Sequence, residues 1–168
     1  MVFAVALQNF FVQPPVLSRR QRLFQDFSVV LGVIHVIALL GVQTVSHTWA
    51  GVGVAMYATS LALFLGAIEA ARRSPITRTF VYEPRCDRVL TAGPYRFIRH
   101  PIYLSYAIAW LAAPVAMHSL VLLASALFMT TCYLISAREQ ERRTSIGPLE
   151  ADYKKHRSSS WRFIPFLY

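Results

Sequence analysis

The sequence predicts an all-α integral membrane helical bundle. It has about four transmembrane helices in two hairpins, an N-terminal interfacial helix and a C-terminal cytosolic helix. Three observations predict this. The 168 residues are 55% hydrophobic with a mean hydropathy of +0.43, and only 15% are charged, against about 25% in soluble domains. Two stretches carry no charged residue, 42 positions from Phe27 to Ile68 and 38 from His100 to Ala137. All 17 Lys and Arg lie outside those stretches.

Residues 1–168 read as one domain. In residues 1–26, "MVFAVALQNFFVQPP" lacks the positive n-region and small-residue cleavage site of a signal peptide. Its apolar run is too short to span a bilayer and stops at Pro14-Pro15, so an interfacial segment is expected. Residues 27–70 form the first hairpin: a span needs about 20 apolar residues, so the first uncharged stretch holds two spans and a turn. The spans are expected near 27–46 and 50–70, with the turn in "SHTWAG" (Ser46–Gly51), where Trp49 suits an interface. His35, mid-span, is expected to hydrogen-bond a neighbouring helix.

Residues 71–100 are a polar loop, long for a connection without structure of its own, which marks function. Residues 101–137 form the second hairpin, with spans near 102–116 and 118–137 and a turn in "APVAMHS" (Ala113–Ser119). The third span is short, and Pro114 predicts a tilt or a break. Residues 138–168 begin as a continuation of the fourth helix, turn at Gly147-Pro148, form a short helix "LEADYKKH" and end on "WRFIPFLY".

The cations fall at 19–22, 72–99 and 138–162, and the two hairpin turns have none. The positive-inside rule then puts both termini and every long polar segment on the cytosolic face. A multi-pass protein of a bacterial inner membrane or the endoplasmic reticulum is expected. In a soluble protein 17 Lys+Arg against 8 Asp+Glu would point to nucleic acid. Here the partner is the anionic lipid surface, and no nucleic acid is expected. Cys86 and Cys132 are too few for a disulfide framework and match no metal spacing.

The stretch "GPYRFIRHPIYLSY" (93–106) sets Arg96, Arg99 and His100 at the mouth of an apolar run. Taken alone, His100 is better explained by snorkelling at a membrane edge and Arg96 by topological anchoring, while Arg99 suits a structural pairing as well as a cofactor contact. Glu139 and Glu141 are either partners of Arg142 and Arg143 on a solvated helix or ligand-holding carboxylates.

Taken together these residues resemble the isoprenylcysteine carboxyl methyltransferase-like family, related to the membrane phospholipid N-methyltransferases. Its G-P/V-Y-x-x-x-R-H-P-x-Y hallmark is matched by Gly93, Pro94, Tyr95, Arg99, His100, Pro101 and Tyr103. A later glutamate and the R-F-I-P ending follow in order, over roughly residues 80–168. The resemblance implies a methyltransferase that uses S-adenosyl-L-methionine and releases S-adenosyl-L-homocysteine. Its lipophilic acceptor, entering from the bilayer, would be methylated on O, N or S.

Carried over position by position, the implied cofactor contacts are Asp87, Arg88, Val89, Leu90, Tyr95, Arg99, His100, Pro101, Ile102 and Tyr103. The family's cofactor glutamate falls on Glu141 by ungapped counting from His100, with Glu139 the contender. Catalysis is implied for Glu141 and Arg138. Prenylcysteine enzymes carry an arginine one helical turn before that glutamate, and this sequence has Ala137 there with Arg138 next to it. Either Arg138 substitutes after a small register shift, or the acceptor is not a prenylcysteine carboxylate.

The chemistry of the residues agrees. A carboxylate suits a His or Arg at a helix N-terminus, where backbone N–H groups are unsatisfied. Pro101 fits a first-turn position. Tyr95 and Tyr103 offer rings to an adenine or a sulfonium. Two rivals remain. Membrane sterol reductases, which bind NADPH, share an R-H-P-x-Y-like segment and an I-P-x-x-Y ending like "FIPFLY", but need more helices. A small four-helix transporter would place its key ionisable group deep in a span, where only His35 qualifies.

Overall fold

The computed structural model describes residues 19–41, 47–73, 89–146 and 149–163. Five α-helices account for most of them: α1 (Arg19–Leu40), α2 (His47–Arg73), α3 (Pro101–Met117), α4 (Leu120–Thr144) and α5 (Glu150–Ser158). A 3₁₀ turn, Gly93–Arg96, precedes α3. Among the described residues there is no β-strand, only one isolated parallel bridge between Ile98 and Trp161. The N-terminal interfacial segment and the Gly147-Pro148 turn lie almost wholly or wholly outside the described residues.

Among the described residues two helices are long and apolar enough to cross a membrane, over Trp49–Arg72 and Leu120–Arg142. α3 is apolar but has 17 residues, roughly 25 Å of helix against about 30 Å of hydrocarbon. Two expectations are corrected. His47–Gly51, expected as a turn, is already the first turn and a half of α2. Pro114 lies inside α3, which runs on to Met117, so the turn shrinks to His118 and Ser119. Pro114 has no N–H to give the Trp110 carbonyl, yet only one helical turn remains after it, so the loss falls where the helix is ending anyway.

Contacts divide the described chain into two units, one from residues 18–64 and 102–136, the other from 65–101 and 137–168. The first has an apolar outer surface, unlike a water-soluble bundle. On α1, Phe27, Val29, Val30, Val33, Ile34, Val36, Ile37 and Leu40 are all exposed. So many apolar side chains on one helix fit hydrocarbon, not water. The interior is apolar too, with Phe64, Leu122 and Met129 fully buried, but it also encloses small and polar side chains: Ser60, Ser105 and Ala112 are fully buried, and His35 is buried.

Helices approach closely there because their contact residues are small. A Cβ on Gly53 would come within 2.7 Å of Ala116 Cβ and 3.2 Å of Ala112 O. Ser60 Oγ donates to Ser105 O at 2.7 Å, tying α2 to α3. His35 makes the expected interhelical bond, Nδ1 to Ser125 Oγ at 2.8 Å. Ser125 spends its own hydrogen on Leu122 O, so His35 Nδ1 is the donor. Trp110 Nε1 donates to Tyr133 Oη at 3.1 Å, and Tyr133 stacks on Tyr103 with ring centres 5.9 Å apart.

The second unit packs the ends of α2 and α4 with the 3₁₀ turn, α5 and the segment after it. Gly93 has a φ of +55°, and a Cβ on it would meet Ala70 Cβ at 3.0 Å. Glycine is needed there twice over, for the left-handed backbone and for the contact. The segment after α5 pairs with the approach to α3. Arg99 N donates to Trp161 O at 2.7 Å, Trp161 N to Phe97 O at 2.9 Å, and His100 N to Arg162 O at 3.3 Å.

Candidate functional site

The backbone pairing of 97–100 with 161–162 sets three side chains, with four donor atoms, around one carboxylate. Glu141 Oε1 accepts from Arg99 Nε at 2.9 Å and lies 3.3 Å from His100 Nε2. Glu141 Oε2 accepts from Arg162 Nε at 2.9 Å and Nη2 at 2.7 Å. Glu141 and His100 are buried, and the Arg99 side chain is only 9% exposed. A carboxylate has about four lone-pair sites, and the chain's own donors engage all four. The guanidiniums supply the countercharge without which so buried a carboxylate would be very costly.

Arg99 does a second job. Its Nη1 donates to Ser160 O and, at 3.4 Å, to Arg157 O. A cation on the Arg157 carbonyl, in the last turn of α5, and on Ser160 just past it complements the negative end of that short helix.

His100 is pushed below its usual pKa by burial, with the hydrogen bond to Glu141 pulling the other way. Its imidazole is therefore neutral near pH 7. Because an ionised carboxylate only accepts, Nε2 carries the proton and Nδ1 is the acceptor. His156 is pushed down by burial and then by Arg99 and His100. The Tyr153 hydroxyl is pushed up, by burial first and the Glu141 carboxylate second, so it stays a donor. It is buried and lies near Glu141 without a hydrogen bond of regular geometry.

Beside this cluster is an open cavity of about 380 Å³. Val89, Thr91 and Arg96 line it together with Asp152, Lys155, His156 and Ser159, the last four all from one face of α5 and its C-terminal end. Arg96 also lies over the Phe97 ring at 5.7 Å.

The expected site residues divide as follows. Arg99, His100 and Glu141 come together; Tyr95 is buried in the 3₁₀ turn of the same unit. Val89 lines the cavity, Leu90 is half-buried and not part of its lining, and Pro101 opens α3 as its first residue. Ile102 and Tyr103 belong to the other unit, Ile102 buried and Tyr103 against Tyr133. Asp87 and Arg88 lie outside the described residues. Glu139 pairs bidentately with Arg142, both contacts at 2.9 Å, on the exposed side of α4. Arg138 is exposed, while its neighbour Ala137 is fully buried.

Sequence reasoning missed Arg162, Tyr153 and His156. The R-F-I-P ending contains Arg162, but nothing local says which carboxylate it meets. Tyr153 and His156 are three apart, on one helical face, and are the two buried residues of α5. Chemically the cluster is a holding site rich in donors. Among the described residues no three His, Cys, Asp or Glu gather to bind a metal ion.

The family model described as phospholipid methyltransferase matches residues 48–145. No curated protein and no solved structure matches the chain.

Proposed function

Because the chain belongs to the phospholipid methyltransferase family, we propose that it is a membrane enzyme that moves a methyl group from S-adenosylmethionine to O, N or S of a lipophilic acceptor. The observation that carries this reading is the convergence of Arg99 and His100 from the R-H-P-x-Y segment on Glu141, about forty residues later in the chain. When bound, the donor supplies a methyl group already activated on a sulfonium. The chain's own part is then binding, alignment and exclusion of water.

The residues present fit such a ligand. The Tyr153 hydroxyl is buried beside Glu141 without a partner of regular geometry, which an incoming polar group would provide. Glu141 fixes His100 as the Nε2–H tautomer and holds the two guanidiniums in place. Tyr95 adds a buried ring from the same unit. In this reading the cluster and the loop before it face the cytosol, both termini lie on that side, and the acceptor arrives from the bilayer. Ala137 is small and Arg138 points to the exposed side of α4. That favours an acceptor other than a prenylcysteine carboxylate.

Calorimetric titration in detergent tests this. S-adenosylhomocysteine should bind wild type, and His100→Ala should weaken it at least about tenfold. Preference for NADPH would overturn the proposal in favour of a reductase.

A further inference from the structure

All four lone-pair sites of Glu141 are engaged by Arg99, His100 and Arg162, so an ammonium group arriving there would have to displace a buried guanidinium. The neighbouring cavity asks for no such exchange. Asp152, Lys155 and Ser159 recur at helical spacing on one face of α5 and its end, and Arg96 and Thr91 line the same cavity. Acidic residues near the start of α5 and basic ones near its end complement the helix dipole on any face. The dipole leaves unexplained why Asp152 and Lys155 both line the cavity while, among the described residues, neither forms an ion pair with the other or with Arg96.

One carboxylate and two cations lining a cavity of about 380 Å³ complement a ligand that carries both signs. A bare anion would meet Asp152 at a cost, and a bare cation would meet Arg96 and Lys155. Two hydroxyls, Thr91 and Ser159, add neutral hydrogen bonding. We infer that this cavity holds a small zwitterion of the α-amino-acid type, the ammonium on Asp152 and the carboxylate on Lys155 and Arg96. It rests on the functional proposal above in taking that zwitterion to be the amino-acid end of the methyl donor. Glu141 is then a positioning residue that orders the adjoining wall, and its carboxylate stays with the guanidiniums.

The test is calorimetry in detergent with three titrants. S-adenosylhomocysteine carries the amino-acid end, 5′-methylthioadenosine lacks it, and glycerophosphoethanolamine carries both charges without adenosine. Wild type should bind S-adenosylhomocysteine at least about tenfold more tightly than methylthioadenosine, or about 1.4 kcal/mol. Asp152→Asn and Lys155→Gln should erase that difference while leaving methylthioadenosine binding unchanged. Lys154→Gln, outside the cavity lining, should preserve it. Unchanged methylthioadenosine binding also shows that the variants are folded.

Equal binding of the two nucleosides by wild type, or discrimination that survives both variants, overturns the inference and leaves the methyltransferase reading standing. Binding of glycerophosphoethanolamine that only the two cavity variants lose, with nucleoside discrimination intact, assigns the cavity to an acceptor headgroup and overturns it too. A wild type that binds neither nucleoside removes the methyltransferase reading, and this inference with it.

Discussion

Replacing Glu141 by Gln removes the one negative charge among Arg99, His100 and Arg162 while keeping the side chain's size. Arg99 and Arg162 are 9% and 16% exposed in their side chains, so neither guanidinium recovers full hydration. Breaking a buried ion pair from one side costs about 3–5 kcal/mol, most of it from the charge left behind. The loss should be local. Arg99 carries the Ser160 and Arg157 carbonyls, and the backbone pairing to Trp161 and Arg162 runs through the same residues. The segment 149–163 should therefore open more readily than the rest of the protein. At tenfold per 1.4 kcal/mol, hydrogen exchange there should quicken by roughly two to three and a half powers of ten. Arg162→Leu leaves Glu141 with Arg99 and His100 and should cost less, about 1.5–3 kcal/mol. Glu139→Gln breaks only an exposed pair, worth under about 1 kcal/mol. Exchange mass spectrometry in detergent reads all three. Unchanged protection of 149–163 in Glu141→Gln, or equal effects of the Glu139 and Glu141 changes, would refute the reasoning.

Gly53→Val should destabilise the bundle by about 1–3 kcal/mol through overpacking, since even a Cβ would sit 2.7 Å from Ala116 Cβ; a lowered thermal midpoint in detergent checks this, and tolerance would mean the α2–α3 contact is looser than described. His100 and His156 both titrate below their unfolded value of 6.5 in the folded protein. Below about pH 6.5 the unfolded state therefore binds more protons, so stability should fall between pH 7 and 5. His156→Gln should flatten that slope in thermal scans. Tyr153→Phe removes a hydroxyl without a regular hydrogen bond, so it should cost under about 1 kcal/mol of stability. It should still weaken S-adenosylhomocysteine binding by about tenfold; a large stability loss with unchanged binding would mark Tyr153 as purely structural.

The uncharged stretches made the helices legible, because a charge in hydrocarbon is costly enough to be excluded from them. Helix ends were harder. Trp49 and Gly51 look like turn residues, yet both lie within the first turns of α2, which begins at His47. Pro114 looks like a break, but near a helix end the carbonyl it orphans matters little. Which of Glu139 and Glu141 turns inward was not legible until the packed face of α4 was known. At 100° per residue, Glu141 shares a face with Ala137 four residues earlier, and Ala137 is fully buried. Glu139 lies about 200° round from Glu141 and is left to Arg142. Arg162 was not legible, because its partner is fixed by a pairing between residues 97–100 and 161–162, which no local pattern encodes.

Transfer of labelled methyl groups tests the central claim most directly. Purified wild type and His100→Ala would be incubated in detergent with a total lipid extract and S-adenosylmethionine labelled in its methyl group, and the organic phase counted. The account predicts label in a lipid product with wild type and a loss of at least about tenfold with His100→Ala. No label above a no-enzyme blank, or equal label from both proteins, would contradict it.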